Sequence, residues 1–162
     1  MVLSNLVNQL EESVTLAASA RAKTLKAQGR DILMLTLGEP DFKTPENIAA
    51  AATAAIASGK TSFYTQAGGL PELKSAVSSY FESFYGYGLA PNEVVVTVGA
   101  KFALYAFFAS VLNQDDEVII PTPYWVSYAD QVKMVGGRPV FAVGTQETDF
   151  KVTVAQLDVL KT

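Results

Sequence analysis

The residues of this chain best suited to chemistry lie at three places, and the first is Val98-Gly99-Ala100-Lys101. It follows a valine-rich run and opens an apolar helical pattern, so free backbone N–H groups at the helix start could hold a phosphate-like anion. The plain alternative is that Gly99 only makes a tight strand-to-helix turn. Neither Gly-x-x-x-x-Gly-Lys-Ser/Thr nor Gly-x-Gly-x-x-Gly is matched, so this is not a familiar nucleotide loop. Lys101 invites assignment as an amine nucleophile, but a lysine beside a bound phosphate stays charged. It is expected to face solvent or to contribute only its backbone. Trp125, the only tryptophan, follows Pro121-Thr122-Pro123-Tyr124 and is expected near the same strand-end edge. There it could cover a flat ligand, or serve as an ordinary buried aromatic. Tyr64 stands in the loop from Thr61 to Gly69, either as a surface anchor or as a polar contact to a ligand or neighbouring subunit.

These residues need elements to position them. Leu16 to Gln28 predicts a helix closed by Gly29, and a short apolar run, Ile32 to Leu37, follows it. Gly38-Glu39-Pro40-Asp41-Phe42-Lys43-Thr44-Pro45 predicts an irregular loop, with Thr44 as N-cap and Glu46 as a favourable first-turn acid. Ile48, Ala52, Ala55 and Ile56 share one face of the next helix, which ends near Gly59. Leu73, Val77, Tyr80, Phe81 and Phe84 mark another after Pro71. From Glu93 the pattern alternates: strand 93–98, helix 100–112, strand 117–120, helix 125–135, strand 140–143. Asn113-Gln114-Asp115-Asp116 predicts a turn and Gly136-Gly137 a helix cap. Alternation of this kind implies an α/β fold with a largely parallel sheet flanked by helices.

Composition removes several function classes. The 162 residues are 49% apolar and 17% charged, the balance of a globular protein. A net charge of -4 without a Lys or Arg cluster offers nothing to nucleic acid or to an anionic membrane. Met1 to Leu10 lacks a signal-peptide pattern and the run 102–108 is too short to span a bilayer, so a cytoplasmic location is expected. With no cysteine and no histidine, disulfides, thiolate catalysis and His-based triads are excluded, and no metal-ligand pattern is left. The last residues, Leu160-Lys161-Thr162, follow a newly begun helical pattern, so the end is expected to be a cut.

Four segments in order, Gly38-Glu39-Pro40-Asp41-Phe42, Tyr64 with Gly69-Leu70-Pro71-Glu72-Leu73, Thr97-Val98-Gly99-Ala100-Lys101, and Pro123-Tyr124-Trp125, resemble the first part of class I/II aminotransferases. These are fold type I enzymes dependent on pyridoxal 5'-phosphate, and the chain is especially similar to bacterial aspartate aminotransferases, a subgroup that includes prephenate aminotransferases. The resemblance implies a three-layer α/β/α architecture with residues 1–42 as an N-terminal arm and small-domain segment, and 43–162 as the first part of the large cofactor domain. It implies that Gly99, Ala100 and Lys101 bind the cofactor phosphate, and that Trp125 stacks on its ring and borders the substrate. It further implies that Tyr64 reaches a phosphate in the partner of a homodimer and that Gly38 lines the substrate carboxylate. The reaction implied is amino transfer between an amino acid, aspartate or a related one, and a 2-oxo acid. The Schiff-base lysine and the other catalytic residues are implied to lie beyond Thr162. Glu11-Glu12-Ser13 departs from a Lys-Pro-Ser common in the subgroup, which replaces a cation by an anion. Carbon–sulfur lyases and aminocyclopropane-carboxylate synthases share the fold, and a non-catalytic structural or regulatory piece is the rival outside enzymes.

Overall fold

The computed structural model describes residues 2–8, 13–36 and 38–161, which gather into two compact units. The first comprises Met1–Ser13 and Thr97–Thr162, the second Val14–Val96.

In the first unit, α1 (Asn5–Asn8) is a single turn, and the working elements are α5 (Ala100–Val111), β1 (Glu117–Thr122), α6 (Ser127–Met134), β2 (Arg138–Val143) and α7 (Val154–Leu160). Val118, Ile119 and Ile120 pair in parallel with Pro139, Val140 and Phe141, and the connection between the strands is α6. Branched side chains suit a pleated surface that is covered, and parallel pairing requires a crossover of this kind. The core forms where α6 meets β1: Ile120, Ala129 and Val132 are buried, with Phe108, Leu112, Val118, Tyr124 and Tyr128 packed against them. Tyr124 stacks on Phe141 at 5.3 Å, so the loop after β1 is anchored to β2. Both strands exceed the sequence expectation, which stopped short of Pro121 and Pro139. Proline removes one N–H, and where that N–H does not point to the partner strand the ladder continues through it. The pairs Pro121–Ala142 and Val118–Pro139 are kept, and Arg138 ion-pairs with Glu117 where the ladder begins.

The second unit contains α2 (Val14–Ala27), α3 (Glu46–Ala57) and α4 (Pro71–Tyr85). The helix starts and stops follow local chemistry. Pro71 occupies the first turn of α4, where its missing N–H costs nothing, and Gly86 leaves the helix at φ 61°. Thr44 does not cap α3 as expected; the N-cap is Pro45, whose carbonyl accepts from Ile48 and Ala49 at 3.0 Å. A further correction concerns residues 93–98. Pro91–Glu93 is a 3-10 turn, Val94 is extended, and the segment pairs with no strand among the described residues. Extended backbone becomes a strand only with a ladder partner. Here Val96 N–H donates to Gly68 O at 2.9 Å, which ties the segment to the loop before α4.

Candidate functional site

The turn into α5 leaves the helix start open. Gly99 is the N-cap at φ 92° and ψ 163°, a conformation that a side chain disfavours, with no side chain capping the helix. Gly99 N–H donates to Thr97 O at 2.8 Å, and the Thr97 hydroxyl donates to Gly99 O at 2.9 Å, so the turn is held by its own short bonds. A Cβ built on Gly99 would meet nothing within 4 Å, so the space before the helix is open. The first intrahelical bond is Ala103 N–H to Gly99 O, at 3.2 Å. Ala100, Lys101 and Phe102 therefore carry the N–H groups that an α-helix cannot satisfy internally. With the helix dipole they favour an anion.

Trp125 lies two residues before α6 rather than inside its first turn, between strand end and helix start, with 43% of its surface exposed. It is held edge-on by Tyr128 at 5.4 Å, while its carbonyl accepts from Tyr128 N–H at 3.0 Å. A half-exposed, edge-supported indole keeps area for a flat partner, which an ordinary core aromatic does not. Lys101 is exposed as expected, yet its side chain is not idle: Nζ lies 4.8 Å from the centre of the Trp125 ring. This cation–π contact, which sequence reading missed, joins the two candidate groups and adds positive charge beside the helix mouth.

Gln131 was missed as well. It is 5% exposed, and its Nε2 donates to Lys101 O at 2.7 Å across thirty positions of sequence. Its Oε1 is buried without a hydrogen-bond partner. Beside it opens a cavity of about 600 Å³ lined by Val98, Lys101, Phe102, Tyr105, Ser127 and Gln131 among others. A signal was available: Tyr128 and Gln131 stand three positions apart on α6, helical neighbours beside the buried Val132.

Gly99, Ala100, Lys101 and Trp125 are thus brought together within the first unit. Gly38 and Tyr64 belong to the second. Gly38 is exposed in an irregular stretch, and a Cβ there would meet nothing within 4 Å. Tyr64 is wholly exposed, at 106%, just after the 3-10 turn Lys60–Ser62. Glu11 and Glu12 lie outside the described residues, and Ser13 is only half-buried.

The sequence model of the family described as aminotransferase class I and II matches residues 30–162. The chain belongs to that family. The asparagine–oxo-acid transaminase of Streptococcus mutans is 62% identical over 160 residues, which are 99% of this chain and 41% of that protein. The aspartate aminotransferase of Bacillus subtilis is 47% identical over 97% of this chain and 40% of its own length. Among solved structures, the aspartate aminotransferase from Rhizobium meliloti superposes with a TM-score of 0.95 at 37% identity, over 100% of this chain and 40% of that one. The Thermus thermophilus enzyme with maleate gives 0.93 at 40% identity, over 100% of this chain and 42% of that one. The fold is therefore that of fold type I aminotransferases, α/β with a parallel sheet. The chain spans about 40% of the length of these relatives. No helix among its described residues is long and apolar enough to cross a membrane.

Proposed function

We propose that this chain is the first part of an aminotransferase that moves an amino group between an amino acid and a 2-oxo acid, using pyridoxal 5'-phosphate. The observation that carries the reading is the uncapped start of α5 beside the half-exposed Trp125, with Lys101 Nζ bridging them. These residues fit the cofactor: an open anion seat of backbone N–H groups stands next to an aromatic face. Bound, the cofactor supplies an electron sink for the carbanion left when an amino acid loses its α-proton.

The chain's own residues have the following roles in this proposal. Backbone N–H groups of Ala100 and Lys101, shaped by Gly99, grip the phosphate. Trp125 fixes the plane of the ring and borders the substrate, and that plane selects which substrate bond is aligned for cleavage. Gly38 lines the substrate carboxylate with its backbone, and its exposure leaves room for one. Tyr64 serves the partner's cofactor in a homodimer, which suits a loop tyrosine exposed over its whole surface. Residues 1–42 form the arm and small-domain segment, and 43–162 begin the large domain. The cytoplasm is the proposed location. Aspartate or its amide is the proposed amino donor, since the Streptococcus relative at 62% identity is an asparagine transaminase and the Bacillus subtilis relative at 47% acts under an aspartate name.

The test uses the full-length protein and its Trp125→Phe variant. The wild type should transaminate a panel of donors headed by aspartate and asparagine, whereas residues 1–162 alone should not. Losing the larger ring should slow turnover about threefold to tenfold, the range of an aromatic contact, while cofactor affinity changes less. Wild-type turnover in Trp125→Phe would reduce Trp125 to a packing residue. Absence of transamination by the full-length protein would defeat the reading as a whole.

A further inference from the structure

We propose that Gln131 is a positioning residue for the cofactor's phosphate, holding the first turn of α5 in the attitude at which its free N–H groups converge. The inference rests on the phosphate reading of α5 given above. Gln131 Nε2 donates to Lys101 O at 2.7 Å, and the side chain is 5% exposed, so the bond is shielded from water. The orientation of the amide is forced, since turning its oxygen to the Lys101 carbonyl would set two acceptors against each other.

The position of this bond gives it its effect. The Lys101 carbonyl and the Phe102 N–H belong to one planar peptide unit. Holding the carbonyl therefore fixes the direction of Phe102 N–H, one of the three donors left without an intrahelical partner. The helix itself does not need the contact: by α-helical geometry Lys101 O already accepts from Tyr105 N–H, and Gln131 takes the remaining lone pair. As packing alone an amide is a poor choice here, because Oε1 is buried and unpartnered. Only the donor end does something that a hydrocarbon of the same length would not.

Gln131 also ties this turn to the stacking group. It sits on α6, whose entry is set by Tyr128 N–H donating to Trp125 O at 3.0 Å. Phosphate grip and indole are thus joined twice, through Gln131 to the Lys101 carbonyl and through Lys101 Nζ over the Trp125 ring. Removing the first link leaves the seat present but free to tilt relative to the ring.

The experiment measures binding rather than turnover. Equilibrium dialysis of the full-length apoprotein against pyridoxal 5'-phosphate and against pyridoxal gives the affinity ratio that the phosphate contributes. Gln131→Met keeps length and removes the donor. Gln131→Glu keeps shape and, as a carboxylate, accepts only. Both should lower the ratio about threefold to tenfold, the effect of one hydrogen bond, with pyridoxal affinity and Tm little changed. A ratio unchanged from wild type in either folded variant overturns the proposal. So does loss of folding in both, which would make Gln131 a structural residue. A wild-type protein with no preference for the phosphorylated compound instead defeats the phosphate reading of α5, an outcome separate from the first two.

Discussion

The two compact units bury their helices differently: α6 of the first seals Ala129 and Val132, whereas α3 and α4 of the second leave their apolar stripes open. In the first, Ile120, Ala129 and Val132 are between 0% and 4% exposed, gathered where β1 and α6 meet. In the second, α3 and α4 contain no buried residue, and Ile48, Ile56 and Phe84 are 54%, 72% and 71% exposed. Their stripes are as regular: Tyr80 stacks on Phe84 at 4.5 Å along α4. The difference is the presence of a sheet face to cover the stripe. A helix side chain four positions from its neighbour gains a few tenths of a kcal/mol, whereas one sealed against a strand gains several times that. What fixes the second unit locally is backbone instead. Gly69 adopts φ 104°, and a Cβ there would stand 2.7 Å from Val96 Cβ, next to the Gly68–Val96 hydrogen bond.

That contrast can be broken by three measurements of unfolding free energy. Ile120→Ala should have the largest effect, a loss of about 2–5 kcal/mol, because it empties a sealed site. Ile56→Ala, the matched change on an exposed stripe, should stay within about 0.5 kcal/mol in residues 1–162. A larger loss for Ile56→Ala in the full-length protein would show that α3 is covered there. A loss comparable to Ile120→Ala in residues 1–162 would abolish the distinction between the units. Gly69→Ala should fall between, at about 1–3 kcal/mol, from left-handed backbone strain and the close approach to Val96. A neutral outcome would mean that backbone fit does not organise the second unit.

The smallest effect belongs to an exposed turn of the first unit. The Thr145 side chain, helped by backbone hydrogen bonding, holds the Glu147 carboxyl below its ordinary 4.5. A depressed carboxyl stabilises the fold above its unfolded value and loses that contribution as pH falls through the folded one. Glu147→Gln should therefore lower stability slightly at neutral pH, with the difference from wild type vanishing as pH falls well below about 4.5. A pronounced change at neutral pH would give surface charge a role that buried side chains are assigned here.

Local chemistry alone determined much of this protein. Proline and glycine placed the ends of α4, valine and isoleucine the parallel pair, and the Gly99 turn its open helix start, because each follows from the steric and hydrogen-bonding limits of nearby residues. Four ordered motifs were enough to indicate the family. Tertiary structure decided what depends on a distant partner. The segment after the 3-10 turn at Glu93 does not become the expected strand, since a ladder needs a second chain segment beside it. The two strands run through their prolines, since only the pairing geometry tells which N–H is required. The Lys101 ammonium lies over the indole of Trp125, and Gln131 holds the Lys101 carbonyl across thirty residues. Neither contact is written in sequence spacing, because which polar group meets which is set by how α6 packs beside α5.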